Sequence, residues 1–319
     1  MRTRLTDLLG VEHPVMLAGM GGVAYNALTA AVSEAGGFGC LGASTMSTGQ
    51  LRDEIALTRA ATARPFGVDL LTAFADSLVA QTEVALEGGA RALVAGLGVP
   101  SRVVELCHRH DVLVVSLCGK VEHARRAIDA GCDLVVAQGT EAGGHTGAVA
   151  TMVLVPLVVD AVDGRVPVVA AGGVADGRGL AAALALGADG VWVGTRFIAT
   201  PEARALPGYH ERILASAEDA TVVSRAFTGK TMRVLRNATT ERYEKDPSSL
   251  RPFPEQLGVA LGEGTFHLGG DETTTGVDPE REGYPAGQVV GAIAEVVPAR
   301  RIVTEMVREA EAILARLGG

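Results

Sequence analysis

Residues 166–197, VPVVAAGGVADGRGLAAALALGADGVWVGTRF, set an apolar run, a pair of glycines, a helix-forming stretch and a second apolar run in succession. That order predicts two parallel strands joined by a crossover helix. The runs VPVVAAGG (166–173) and GVWVGT (190–195) are continuous rather than alternating, as in strands covered on both faces. Working outward, six more runs of the same kind precede them: PVMLAG (14–19), GFGCLG (37–42), PFGVDLL (65–71), RALVAG (91–96), VLVVSL (112–117) and DLVVAQG (133–139). Helical patterns such as NALTAAVSEAG, SLVAQTEVALEGG and KVEHARRAIDAG lie between them, several closing on a glycine that suits a helix C-cap. Eight strands alternating with helices over residues 1–200 predict an α/β fold of the (β/α)8 TIM-barrel type. Alternation alone does not prove closure, so a doubly wound open sheet is the alternative.

After GTRFIATPEA the texture changes. Residues 201–290 are richer in charge, Pro and Gly, with a helical piece at YHERILASAEDA. NATTERYEKDPSSLRPFPEQ and GGDETTTGVDPEREGYPAGQ read as long loops. A smaller, partly helical subdomain after strand eight is expected here, placed to cover a substrate. In residues 291–319, Ile302, Met306, Ala310, Ile313, Leu314 and Leu317 share one face after Pro298, which predicts an amphipathic helix packed back on the barrel.

The 319 residues are 48% hydrophobic and 20% charged, and 28 Lys+Arg against 37 Asp+Glu give a net charge of −9. A nucleic-acid partner would need a positive footprint, and no basic run supplies one. MRTRLTDLLGVEHPVM lacks the apolar core of a signal peptide, and MVLVPLVVDAV falls short of the roughly 18 residues of a membrane span. A cytoplasmic protein without a membrane partner is expected. Cys40, Cys107, Cys118 and Cys132 form no C-x-x-C pair and read as reduced, buried thiols, with no metal site.

In such folds the chemistry gathers at the strand C-termini. The glycine clusters fall there: AGMGG, QGTEAGGHTG, AAGGVADG and VGTRF. Gly172 and Gly173 let backbone N–H groups approach an anion, and VADGRGLAAAL starts a helix whose N-terminus favours negative charge. Gly194 and Thr195 supply donors from the neighbouring strand, so a phosphate is predicted between the seventh and eighth loops. Tight turns alone would explain either cluster singly. A phosphate handle fits a sugar phosphate as well as FMN, and LAGMGG (17–22) offers bare backbone for a flat ring. His145 is the candidate for chemistry, because an imidazole titrates near working pH. Glu141 reads as an anchor for the loop backbone and Trp192 as core. His108 and His110 read as solvated helix-end residues and His13 and His123 as surface residues. His267 reads as a loop residue whose alternative place is the mouth of the site.

GVAYNALTAAVSEAGGFGCLG, AQGTEAGGHTG, the opening stretch and YPAGQVVG, in their order along nearly the whole chain, resemble the FMN-dependent nitronate monooxygenase (2-nitropropane dioxygenase-like) family. Flavin-dependent enoyl-ACP reductases and NADH:quinone reductases look similar in the same places. The resemblance implies FMN held non-covalently, with the ring against Gly19, Met20, Gly21, Asp69, Gln138, Gly143 and Gly144. It puts the phosphate on Gly172, Gly173, Gly194 and Thr195, and makes His145 the catalytic histidine. Two departures stand out: AGM where the family reads A-P-M, and GVD where it reads G-V-N, so Asp69 replaces an amide. A carboxylate only accepts hydrogen bonds, so Asp69 needs a raised pKa or a cation, for which Lys120 is placed. Two redox reactions follow. One oxidises an alkyl nitronate with FMN and O2, with His145 as base or polarising group. The other passes electrons from NAD(P)H through FMN to an enoyl thioester or quinone. A phosphate-binding barrel without redox chemistry is the third expectation. Lys120, Tyr284 and Gln288 are expected to touch a small-molecule substrate, and a homodimer is compatible with the sequence.

Overall fold

All eight apolar runs form strands in the computed structural model, which describes residues 1–72, 75–96, 98 and 101–318. They are β1 (Val15–Leu17), β2 (Gly39–Gly42), β3 (Phe66–Leu71), β4 (Ala92–Gly96), β5 (Leu113–Cys118), β6 (Leu134–Gln138), and, after a two-residue β7 (Gly144–His145), β8 (Val168–Ala171) and β9 (Gly190–Val193). The parallel sheet runs β1-β9-β8-β6-β5-β4-β3-β2. A bridge from Met16 to Phe38 returns β2 to β1 and closes the ring. The fold is a (β/α)8 barrel, and the open sheet is excluded.

The continuous runs have their reason in this closure. On β6, Val135 and Ala137 face the helices, while Leu134 and Val136 fill the interior. Both faces of each strand are thus covered, which leaves no polar register to alternate with. The helices are α1 (Arg4–Leu9), α2 (Asn26–Glu34), α3 (Thr48–Ala61), α4 (Ala75–Glu87), α5 (Ser101–His108), α6 (Val121–Asp129), α7 (Thr151–Val162), α8 (Gly177–Ala185) and the short α9 (Thr195–Ile198). Leu5 and Leu9 of α1 plug the lower end of the barrel beside Met16 and Phe38. At the upper end small residues such as Gly96, Ala171 and Gly194 leave the interior open above Trp192, which is buried as expected. All four cysteines are buried and unpaired.

Residues 201–290 differ from the expectation of helix and loop. They hold α10 (Tyr209–Leu214), an antiparallel hairpin of β10 (Thr221–Ser224) and β11 (Met232–Leu235), α11 (Ala238–Lys245) and α12 (Glu255–Gly262). NATTERYEKDPSSLRPFPEQ is therefore not a single long loop. α11 starts there on a capping box of Asn237 and Thr240, a threonine where glutamate or glutamine is usual. The glycine run is not wholly a loop either, because β7 pairs with β11 and completes a three-stranded sheet. The last helix, α13 (Ala299–Gly318), packs on α8 and α2. It buries Ile302, Met306 and Ala310, whereas Leu317, expected on that face, lies beyond the support of α8 and is exposed. No helix among the described residues is long and apolar enough to cross a membrane.

Candidate active site

A cavity of about 1000 Å³ opens at the C-terminal end of the barrel strands. Its wall brings together Gly19, Met20, Gly21, Asp69, Lys120, Gln138, Gly143, Gly144, His145, Gly172, Gly173, Gly194, Thr195 and Tyr284. Gln288 is not among them and is exposed on a 3-10 turn. Tyr284 offers no free hydroxyl. It is 1% exposed, stacks on Tyr209 at 4.6 Å between ring centres, and donates to the Pro207 carbonyl.

The QGTEAGGHTG run is held from both sides. Gln138 Nε2 donates to the His145 carbonyl at 2.7 Å. The Glu141 carboxylate accepts from the Thr151 N–H at 2.9 Å and hydroxyl at 2.8 Å, which fixes the loop to the start of α7. From the hairpin, buried Arg233 donates to the Thr140 carbonyl at 2.9 Å and to Thr221 Oγ1 at 3.1 Å. A Cβ on Gly143 would fall 2.7 Å from the Ala286 carbonyl carbon, so only glycine lets the 285–287 backbone pass.

His145 sits in β7 opposite Met232, half-buried, with Nε2 3.2 Å from Thr228 Oγ1. Nδ1 has no partner among the described residues. Burial first, and the nearby Lys230 second, push its pKa below the ordinary imidazole value, so the ring is neutral at pH 7. Lys230 itself lies 4.3 Å from the centre of the Phe253 ring.

At the predicted phosphate end, Gly172 and Gly173 take left-handed φ of 92° and 78°. The N–H groups of Gly173 and Gly194 have no partner among the described residues. The N-terminus of α8 is already satisfied, contrary to expectation. Asp176 accepts from the N–H of Arg178 at 2.9 Å and of Gly179 at 3.3 Å, and Glu309 of α13 accepts from Gly177 at 2.8 Å. Two carboxylates thus occupy the place an anion would take, and the open donors belong to the loops instead. Thr195 Oγ1 accepts from Gly287 N–H at 2.9 Å and ties the PAGQ segment to β9.

Asp69 lies within β3 on the barrel interior at 8% exposure, with no hydrogen bond or ion pair among the described residues. Burial pushes its carboxyl well above the usual carboxylate range, and no cation opposes that. Lys120 therefore does not act as its counter-charge, although it lines the same cavity. A Cβ on Gly19 would lie 2.2 Å from the Asp69 Cβ, so the AGM and GVD departures form one packing unit.

Several wall residues escaped the sequence reading. Thr228 and Lys230 come from the hairpin turn, whose only signal was a Thr-Gly-Lys between two short apolar runs. His267 takes the alternative place the sequence allowed it and reaches the wall, with Nδ1 2.7 Å from Oε2 of Glu282, which is fully buried. His123, exposed as expected, also borders the cavity, whose lining includes Lys120, Lys230 and Arg126, the last paired with Glu122. No group of three or more His, Cys, Asp or Glu among the described residues could hold a metal ion.

A sequence profile of the family described as nitronate monooxygenase matches residues 2–81 and 71–309. A (3aS,4S,5R,7aS)-5-hydroxy-7a-methyl-1-oxo-octahydro-1H-indene-4-carboxyl-CoA dehydrogenase of Mycobacterium tuberculosis is 41% identical over 81% of this chain and 72% of its own. Among solved structures, FabK from Thermotoga maritima superposes with a TM-score of 0.87 at 35% identity, covering 100% of this chain and 99% of that one. Nitroalkane oxidase from Streptomyces ansochromogenes gives a TM-score of 0.83 at 31% identity, covering 99% of this chain and 100% of that one.

Proposed function

The chain belongs to the nitronate monooxygenase family and is a flavin-dependent oxidoreductase, and on that premise we propose that it oxidises an alkyl nitronate with FMN and O2. The residues present fit FMN. Gly19, Gly21, Gly143 and Gly144 present backbone to the cavity, Gly144 with open space where a side chain would stand, and the unpaired N–H groups of Gly173 and Gly194 suit a phosphate. Bound FMN would supply the two-electron acceptor and its reoxidation by O2.

One observation carries the reading: a neutral imidazole, His145, open at Nδ1 and standing beside the cation Lys230. With a neutral nitroalkane the imidazole takes the α-proton and so generates the nitronate; with a nitronate it polarises the nitro group, and Lys230 favours the anion in both cases. Thr228 fixes the ring's other edge. Adding a nitronate to the purified protein without oxygen should bleach the flavin absorbance, and air should restore it. A protein that takes up no FMN, or whose flavin stays oxidised with nitronate, defeats the reading. His145→Ala is expected to keep FMN while lowering turnover by about 10²-fold or more.

A second reading rests on the two lysines of the cavity lining, Lys120 and Lys230. A cavity of about 1000 Å³ stands at the upper end of the roughly 300–1000 Å³ common for ligand sites, more than FMN and a small nitroalkane need. An acyl thioester on a phosphate-bearing carrier would use both the space and the charge, and the resemblance to a carboxyl-CoA dehydrogenase supports it. Bleaching by NAD(P)H or an acyl-CoA, but not by nitronate, would select this reading.

A further inference from the structure

Asp69 is a buried acid that the protein leaves without a partner. Its side chain fills the space beside Gly19, where a Cβ would lie 2.8 Å from Oδ2. On the other side Gly96 of β4 leaves Oδ1 uncovered, 3.8 Å from where its own Cβ would be. The register puts Gly42 of β2 and Val94 of β4 beside it, neither with a polar side chain. From β2, Cys40 is the one titratable neighbour. Its thiol is itself pushed up, by burial first and by Asp69 second, and stays neutral. Lys120, His145 and Lys230 line the same cavity, yet none pairs with Asp69 among the described residues.

Once a ligand fills the cavity, a carboxylate there would lose its hydration and gain neither cation nor donor from the described residues in return. The neutral acid avoids the charge but brings one O–H, and a buried O–H needs an acceptor. No described residue is hydrogen-bonded to Asp69 and its side chain lines the cavity, so a ligand that fills the cavity is placed to supply the acceptor.

We propose that Asp69 meets the bound cofactor as a neutral carboxylic acid and donates its O–H to a carbonyl oxygen or ring nitrogen of the flavin. The inference rests on the FMN reading above and adds to it a linked proton. Where the free carboxyl is ionised, binding one FMN takes up one proton, so affinity falls as pH rises. An asparagine in its place would keep a donor and need no proton.

The test compares the holoprotein with Asp69→Asn, which has nearly the same shape. Infrared difference spectra at pH 8 should show a protonated-carboxyl C=O band in the wild type that the substitution removes. In FMN titrations of the apoprotein, read by flavin fluorescence, the variant should bind within about threefold of the wild type at pH 7, since a neutral donor replaces a neutral donor. Between pH 7 and 9, above the phosphate's second ionisation near 6, wild-type affinity should fall relative to the variant, at most tenfold per pH unit. No carboxyl band lost on substitution, or a wild-type affinity that rises with pH relative to the variant, overturns the proposal while leaving FMN binding intact. If neither protein takes up FMN, the cofactor reading fails and Asp69 with it.

Discussion

A single cation sets the working range of the imidazole opposite it. Lys230 is the second cause, after burial, of the lowered His145 pKa. Lys230→Gln removes that cause, so the pKa of His145 should rise. A base is active above its pKa, and the acidic limb of the kcat/KM profile should therefore move to higher pH. A limb that stays put or moves to lower pH would mean that Lys230 does not face the ring. His145 and its glycines could be read from the sequence, because an imidazole among bare backbone at a strand end has few structural uses. Thr228 and Lys230 could not. Both reach the cavity from a turn far along the chain, and nothing local in RAFTGKTMRV marks that destination.

Helix α8 shows how an element can look like a ligand site and be closed by its own fold. VADGRGLAAAL has the glycines and the N-terminal position of an anion cradle, but Asp176 and Glu309 already accept its first N–H groups. The sequence could not reveal this, since Glu309 arrives from a helix more than a hundred residues later. The same contact explains Gly177. An added Cβ would fall 2.5 Å from the Met306 carbonyl oxygen and 2.6 Å from the Ala310 nitrogen, both backbone atoms of α13. Gly177→Ala should thus lower stability by about 1–3 kcal/mol, seen as an earlier denaturant midpoint. FMN affinity of the folded variant should not change, and a tenfold loss would return the phosphate to α8. The strands were legible for the opposite reason: burial on both faces leaves its mark within each run. The β10–β11 hairpin left none, because β10 is half exposed and its loop lacks the usual two-residue glycine turn.

Across the whole molecule a net charge of −9 surrounds a cavity whose wall carries Lys120 and Lys230. A positive patch in a negative surface focuses the field on the entrance and draws anions there, an effect that salt weakens. If the thioester reading holds, Lys120→Glu should raise KM for an acyl-CoA several-fold with kcat unchanged, and the difference should shrink in high salt. KM for a small neutral nitroalkane should not move. Equal effects on both substrates would place Lys120 in the chemistry rather than in attraction.

The pairing of β7 with β11 also fixes an order of events at the ribosome. A growing chain has released every strand of the barrel before Met232, the strand partner of His145, has been made. At roughly 5–20 residues per second the interval lasts seconds, long compared with loop closure. Through that interval every barrel strand has been made but the histidine has no strand to lie against. A nascent chain that already held its flavin at that stage would still be an unarmed one.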